Sequence, residues 1–292
     1  GLTVVAFGTS APVLIVSLDA TLTGHPEIAL GNVIGSNIAN IAIVLALTVL
    51  ILPMPVALQT IKRSWPWMLL SGVVLYLMMA NGSVGHVEGF LLVALLVLFV
   101  LGAIKSSRKY ARGIPVKIPE TRYNMGLCIA MVLLASGGLA LGSRFLVNSA
   151  SSIAGHLGVS ERIISLTVVA FGTSIPELTA SIIAAIKKES DISVGNIIGS
   201  NIFNVFAVIG ISSGIHIIPL SFPEFRVDLH FMLLFYLLLF LFILPKGFFR
   251  GKISVGILKE RYQQLEGGWI SRMEGAVLFF LYLAYLYFIL FF

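Results

Sequence analysis

The chain is apolar in runs long enough to cross a lipid bilayer, and it repeats such runs from end to end. About 30 Å of hydrocarbon takes roughly 20 helical residues to span. Nine stretches reach or approach that length: Leu2–Leu22, Ile28–Met54, Trp65–Ala80, Val87–Ile104, Tyr123–Val147, Ile163–Ile186, Ile192–Ile215, Leu229–Leu244 and Trp269–Phe292. Backbone polar groups in lipid must be bonded within the segment, and a barrel would instead show short alternating strands. The expected fold class is therefore an all-α polytopic membrane protein. Composition agrees: 58% of the 292 residues are hydrophobic and 11% are charged, where a soluble domain carries about a quarter charged residues.

The net charge of +6 would suit an anionic partner such as nucleic acid, but its distribution argues against one. Threading the spans back and forth places 16 of the 19 basic residues on one face, in the loops after spans two, four, six and eight. Arg162 and Arg226 fall in the opposite loops, and Arg144 lies near that end of its own span. Lys and Arg mark the cytoplasmic side of membrane proteins, so the basic face is expected inside and no nucleic acid is expected as a partner. A single cysteine excludes an internal disulfide.

An internal repeat fixes the plan. Leu2–Asn40 lies over Leu166–Asn204 without a gap, and 22 of 39 positions are identical. Chance likeness between apolar helices would match Leu, Ile and Val. These matches include Gly, Pro, Thr, Ser and Asn, which are poor filler for a lipid-facing surface. Five crossings separate the two copies, so equivalent helices point in opposite directions. Inverted repeats of this kind bind their ions near the midplane, where the halves meet. The units expected are residues 1–105 as the first repeat, 106–122 as a basic cytoplasmic loop and 123–292 as the second repeat. A helix precedes Leu166 in the second copy and none precedes Gly1, so nine helices are expected here of a complete ten.

Each copy holds two polar clusters. The first reads Gly8-Thr9-Ser10-Ala11-Pro12-Val13 and Gly172-Thr173-Ser174-Ile175-Pro176-Glu177. Proline has no amide hydrogen and must kink the helix, which should free carbonyls near Ala6 and Ala170 as hard oxygen ligands. Hydroxyls of Thr9, Ser10, Thr173 and Ser174 add to them. In the second cluster Asn32, Ser36 and Asn40 recur four apart, as do Asn196, Ser200 and Asn204, giving one polar stripe per helix. Gly31, Gly35, Gly195 and Gly199 allow close helix approach. A carboxylate in mid-span is costly and marks function by default, and Glu177 is that carboxylate. No His/Cys constellation suits zinc or copper, whereas amide, hydroxyl, carbonyl and carboxylate oxygens suit Na+ or Ca2+.

The pairs GTSxPE and GNxxGSNxxN resemble the alpha repeats of the calcium/cation antiporter superfamily, the sodium/calcium exchangers, especially its bacterial members. The resemblance implies an inverted-repeat, exchanger-like fold that swaps Na+ for Ca2+ electrogenically by alternating access, with no resident cofactor. It implies an integral protein of the bacterial inner membrane, acting as a monomer in the lipid bilayer, with basic loops cytoplasmic. Matched position by position, the ion ligands would be Thr9, Ser10, Ser36, Asn40, Thr173, Ser174, Glu177, Ser200 and Asn204, with the carbonyls of Ala6 and Ala170. One departure matters: Val13 stands where the family has its first glutamate. A single central carboxylate should weaken Ca2+ binding. Asp19 falls off the Val13 face, near the outer end of its helix, and reads as an entry-path or interfacial residue, with a ligand role as the alternative.

Two other readings stay open in the sequence. A carboxylate at low dielectric can carry a proton, so exchange of H+ or K+ for another cation fits the same residues. A transport-dead relative with a scaffold role would fit a chain silenced by Val13. An enzyme is not expected, because the five histidines lie near span ends without a Ser/His/Asp arrangement.

Overall fold

The computed structural model describes residues 2–79, 82–111, 124–156, 158–219, 222–244 and 268–291. It is a bundle of helices, and five of the nine rods among the described residues are built from two to four pieces. The first rod joins α1 (Leu2–Thr9) to α2 (Ala11–Leu22). The second joins α3 (Pro26–Ala39), a wide π turn at Asn40–Leu45 and α4 (Ala46–Ile51). A π turn at Thr60–Ser64 leads into α5 (Trp65–Met79), and α6 (His86–Ala111) and α7 (Met125–His156) follow. The sixth rod runs through α8 (Glu161–Ile164), a π turn at Ser165–Val169, α9 (Ala170–Thr173) and α10 (Ile175–Ile186). Then come α11 (Ser190–Phe203), a π turn at Asn204–Ile209, α12 (Gly210–Ile215), α13 (Phe222–Ile243) and α14 (Arg272–Phe291). Six of these stretches are long and apolar enough to cross a membrane: Pro26–Ile51, His86–Ser106, Arg162–Ile186, Ile192–Ile215, Glu224–Ile243 and Arg272–Phe291.

Several boundaries depart from expectation. Met54 and Trp269 close no helix; they lie in the short strands β1 (Met54–Val56) and β4 (Gly268–Ile270), which pair antiparallel. Strands β2 (Ser83–Val84) and β3 (Ile218–Pro219) pair the same way. Helix α6 runs on to Ala111, so the start of the expected basic loop is helical, and residues 112–123 lie outside the described residues. Residues 245–267, with most of the basic segment after span eight, also lie outside them. The eighth span starts earlier than Leu229, and Asp228 therefore lies inside it, fully buried.

The repeat extends through the whole architecture. The π turns at Asn40–Leu45 and Asn204–Ile209 begin at equivalent asparagines. Helix α14 packs on α4, and α6 packs on α12, so each half lends its last helix to the other. A Cβ on Gly89 would lie 2.7 Å from the Gly210 carbonyl, and one on Gly275 would lie 3.0 Å from the Ala46 carbonyl. These glycines let the exchanged helices seat at backbone distance. The buried core is centred on α3 and α11, whose spans are 83% and 89% buried, against 11% for that of α6. Thus α3 and α11 cross at the centre, and α6 faces lipid.

Candidate functional site

Proline sets the local geometry of the first cluster. Pro12 and Pro176 sit in the opening turns of α2 and α10, and each chain bends at the serine before, with Ser10 at φ −81°, ψ 0° and Ser174 at φ −90°, ψ 0°. The bend is slight, because the serine amides still reach back one turn: Ser10 N donates to Ala6 O at 3.0 Å and Ser174 N to Ala170 O at 3.1 Å. The Ala6 and Ala170 carbonyls are therefore not freed, contrary to expectation. A threonine hydroxyl also lies within reach of each oxygen, Thr9 Oγ1 at 3.3 Å and Thr173 Oγ1 at 3.2 Å, but its single hydrogen is shared with the amide oxygen of Asn196 or Asn32. The helix absorbs the missing proline amide by bending at one residue and does not unwind.

The two repeats meet through their side chains. Glu177 is fully buried, and Ser10 of the other copy donates to its Oε1 at 3.0 Å. Thr9 and Ser200 face the same carboxylate, and Oε2 makes no well-formed hydrogen bond among the described residues. Across the pseudo-twofold, Thr173 donates to Asn32 Oδ1 at 3.0 Å, and its oxygen lies 3.1 Å from Ser36 Oγ. Thr9 makes the equivalent bond to Asn196 Oδ1 at 3.3 Å. Every expected side-chain ligand is buried at 6% exposure or less. In water-free surroundings unpaired polar atoms are costly, yet Ser174 Oγ, Asn40 Oδ1 and Asn204 Oδ1 have no partner among the described residues.

The halves differ where the first copy has Val13 and the second has Glu177. In the first copy Asn32 closes on its own repeat, donating to Ser17 Oγ at 2.9 Å and to the Val13 carbonyl at 3.3 Å. In the second, Asn196 Nδ2 and Ser181 Oγ, the equivalent atoms, lack partners among the described residues. Val13 itself is fully buried against the apolar core. Unmet polar atoms fall on both sides of the pseudo-twofold: Glu177 Oε2, Ser181 Oγ and Asn196 Nδ2 belong to the second copy and Asn40 Oδ1 to the first, while Asn204 opens the turn that packs on the helix of Val13. Among the described residues no group of three or more His, Cys, Asp or Glu could hold a metal ion, and Glu177 is the one carboxylate among the buried hydroxyls and amides described above.

Two arrangements lie outside the expected set of site residues. Asn37 and Asn201, inside the repeated Gly-Ser-Asn, cross at the centre and hold Asn204 and Asn40. They could have been found as polar residues identical in both copies. The second joins Asp228 to Arg162 at 2.6 Å and to the Tyr285 hydroxyl at 2.9 Å. The Arg162 guanidinium also lies over the Phe225 ring at 5.6 Å from its centre. Arg162 is therefore no loop charge but a clamp between α8, α13 and α14. Asp19 is exposed and lies 3.7 Å from Arg144 of α7.

The chain is similar to known proteins over most of its length. The family model described as sodium/calcium exchanger protein matches residues 1–105 and 127–291. The inner membrane protein YrbG of Escherichia coli is 38% identical over 221 residues, covering 72% of this chain and 67% of that protein. The sodium/calcium exchanger MaX1 of Methanosarcina acetivorans is 29% identical, covering 98% of this chain and 87% of that protein. A solved structure of the sodium-calcium exchanger NCX_Mj superposes with a TM-score of 0.71 at 28% identity, covering 97% of this chain and 84% of that one. The chain is an integral membrane transporter, not an enzyme, and it belongs to the sodium/calcium exchanger protein family.

Proposed function

We propose that this protein is a secondary active antiporter that exchanges Na+ for Ca2+ by alternating access. The observation that carries the reading is Glu177, a carboxylate wholly withdrawn from water and met by Ser10 of the opposite repeat. A buried charge without a cation partner is unfavourable, so the site is arranged to receive one. Thr9, Ser10, Ser36, Asn40, Thr173, Ser174, Ser200 and Asn204 would supply neutral oxygens, with second lone pairs of the Ala6 and Ala170 carbonyls. Such oxygens suit hard cations. Na+ and Ca2+ would compete for overlapping positions, so an occupied cage crosses and an empty charged one does not. Relatives named as sodium/calcium exchangers support the choice of ions.

Val13 favours a second reading of selectivity. One formal negative charge offsets a monovalent cation and only half of a divalent one, so Ca2+ should bind more weakly than at a two-carboxylate cage. Exchange coupled to H+ or K+ would then show as cation flux driven by those gradients alone. The chain is read as a monomer in a bacterial inner membrane with its basic loops cytoplasmic, following the distribution of Lys and Arg. The test is purified protein in proteoliposomes. An imposed Na+ gradient should drive ⁴⁵Ca²⁺ uptake, and Glu177→Gln should abolish it. Equal uptake by that variant, or no flux of either ion with the native chain, would sink the proposal.

A further inference from the structure

Asn37 and Asn201 face each other where α3 and α11 cross, and their hydrogen bonds run in one direction only. Asn37 Nδ2 donates to the backbone carbonyl of Asn201 at 3.3 Å, and Asn201 Nδ2 to that of Asn37 at 3.2 Å. The remaining amide hydrogens point at thioethers, Asn37 at Met232 Sδ and Asn201 at Met68 Sδ, both 3.8 Å away. Carbonyl oxygens and thioether sulfurs accept and cannot donate. The amino end of each central amide is therefore fixed by its surroundings, and so is the position of its oxygen.

Those oxygens set the next amide outward. Asn37 Oδ1 accepts from Asn204 Nδ2 at 3.0 Å, and Asn201 Oδ1 accepts from Asn40 Nδ2 at 2.9 Å. An Asn204 or Asn40 turned end for end would set oxygen against oxygen, so only the amino end fits. What remains of each outer amide is its oxygen, buried and without a partner among the described residues. Asn40 opens the π turn that packs on α10, the helix of Glu177, and Asn204 opens the one that packs on α2, the helix of Val13.

We propose that Asn37 and Asn201 are positioning residues that hold the Asn204 and Asn40 amides oxygen-first toward the cation, and thereby set cation affinity. The inference rests on the ion cage proposed above and concerns residues that do not themselves touch the ion. Without them an outer amide could present its amino group, whose partial positive charge repels a cation. Backbone carbonyls anchor the chain of bonds at both ends, so each repeat sets the ligand of the other.

A carboxylate carries oxygen at both ends and has no wrong orientation, which separates positioning from packing. Equilibrium binding of ²²Na⁺ and ⁴⁵Ca²⁺ would be measured on purified protein in nanodiscs, with thermal melting to show that each variant folds. Asn37→Leu should weaken binding about tenfold, the loss of one charge-assisted contact, but less than about twofold when Asn204→Asp is also present. Asn201→Leu tested with Asn40→Asp is the equivalent pair and decides the matter if the first does not fold. Equal losses with and without the aspartate, or no loss at all, overturn the positioning role. A native chain that binds neither ion overturns the cage and this inference together, whereas native binding with equal losses overturns the inference alone.

Discussion

Val13 is a buried residue of the first copy at which the second copy carries a charge. It fills with a fully buried apolar side chain the place that Glu177 holds across the pseudo-twofold. Val13→Glu should raise Ca2+ affinity about tenfold or more, because a divalent ion would then meet two formal charges at low dielectric. Without the ion the two carboxylates would repel, and one would hold a proton. The variant should accordingly melt lower than the native chain in chelator and recover in Ca2+. Titration calorimetry with Ca2+ and melting with and without chelator would check both effects, and unchanged affinity would clear Val13 of any part in selectivity. At this scale Glu177 and the stripe residues were legible in the sequence, since a charge or amide in lipid stands out and the repeat marks it twice. Asn37 and Asn201 stand out by the same signal, but their part in the site does not. Their importance lies in which atom faces which, and that depends on how two helices cross. Asp228 was missed for a different reason: a hydropathy boundary drawn at Leu229 left it outside a span that in fact starts earlier.

At the level of elements, close approach governs the site. A Cβ on Gly35 of α3 would lie 2.5 Å from the Leu166 carbonyl and 2.7 Å from the Ala170 Cβ. Backbone cannot swing aside as a side chain can, so α3 would have to separate from the segment carrying Ala170 and Thr173. Gly35→Ala should therefore cost about 1–3 kcal/mol, as overpacking does, and should impair transport beyond what that loss explains. Gly102→Ala, with nothing within 4 Å of its Cβ, is the matched control. Melting temperature and flux of both variants would check this, and equal behaviour would contradict the packing argument. The small-residue spacing made this approach readable from sequence. The π turns at Asn40 and Asn204 were not, because no proline or glycine announces them. A wide turn of this kind often accompanies a functional site, and here it starts at the asparagine whose oxygen is left unpaired. The proline-linked kinks were legible as kinks, but the Ala6 and Ala170 carbonyls are not freed by them, since the Ser10 and Ser174 amides keep their bonds.

Across the whole molecule, the inverted repeat and its helices follow from the sequence, and the exchange of end helices does not. Two copies of one pattern fix how equivalent helices point, but not which half supplies the wall beside each. The structure answers with α14 against α4 and α6 against α12, secured by the β1–β4 and β2–β3 pairs. The same joint recurs in side chains. His86 at the start of α6 approaches the Ser213 and Gly214 carbonyls at 3.0 and 3.1 Å, and Arg272 at the start of α14 donates to those of Leu50 and Ile51 at 3.0 and 3.3 Å. A chain cut between residues 111 and 124 should therefore stay together. Two separately expressed pieces, only one of them tagged, should co-purify in equal amounts and restore flux. Recovery of the tagged piece alone would contradict the exchange.

That crossed arrangement carries a consequence for how such a protein can come to exist. Neither half is a finished object, for each leaves a vacant berth that only the other's last helix can occupy. A single ancestral half inserted both ways round could have built the same clasp from two molecules, and fusion into one chain would have left the joint unchanged. The two copies have since diverged, with valine in one and glutamate in the other at the equivalent position.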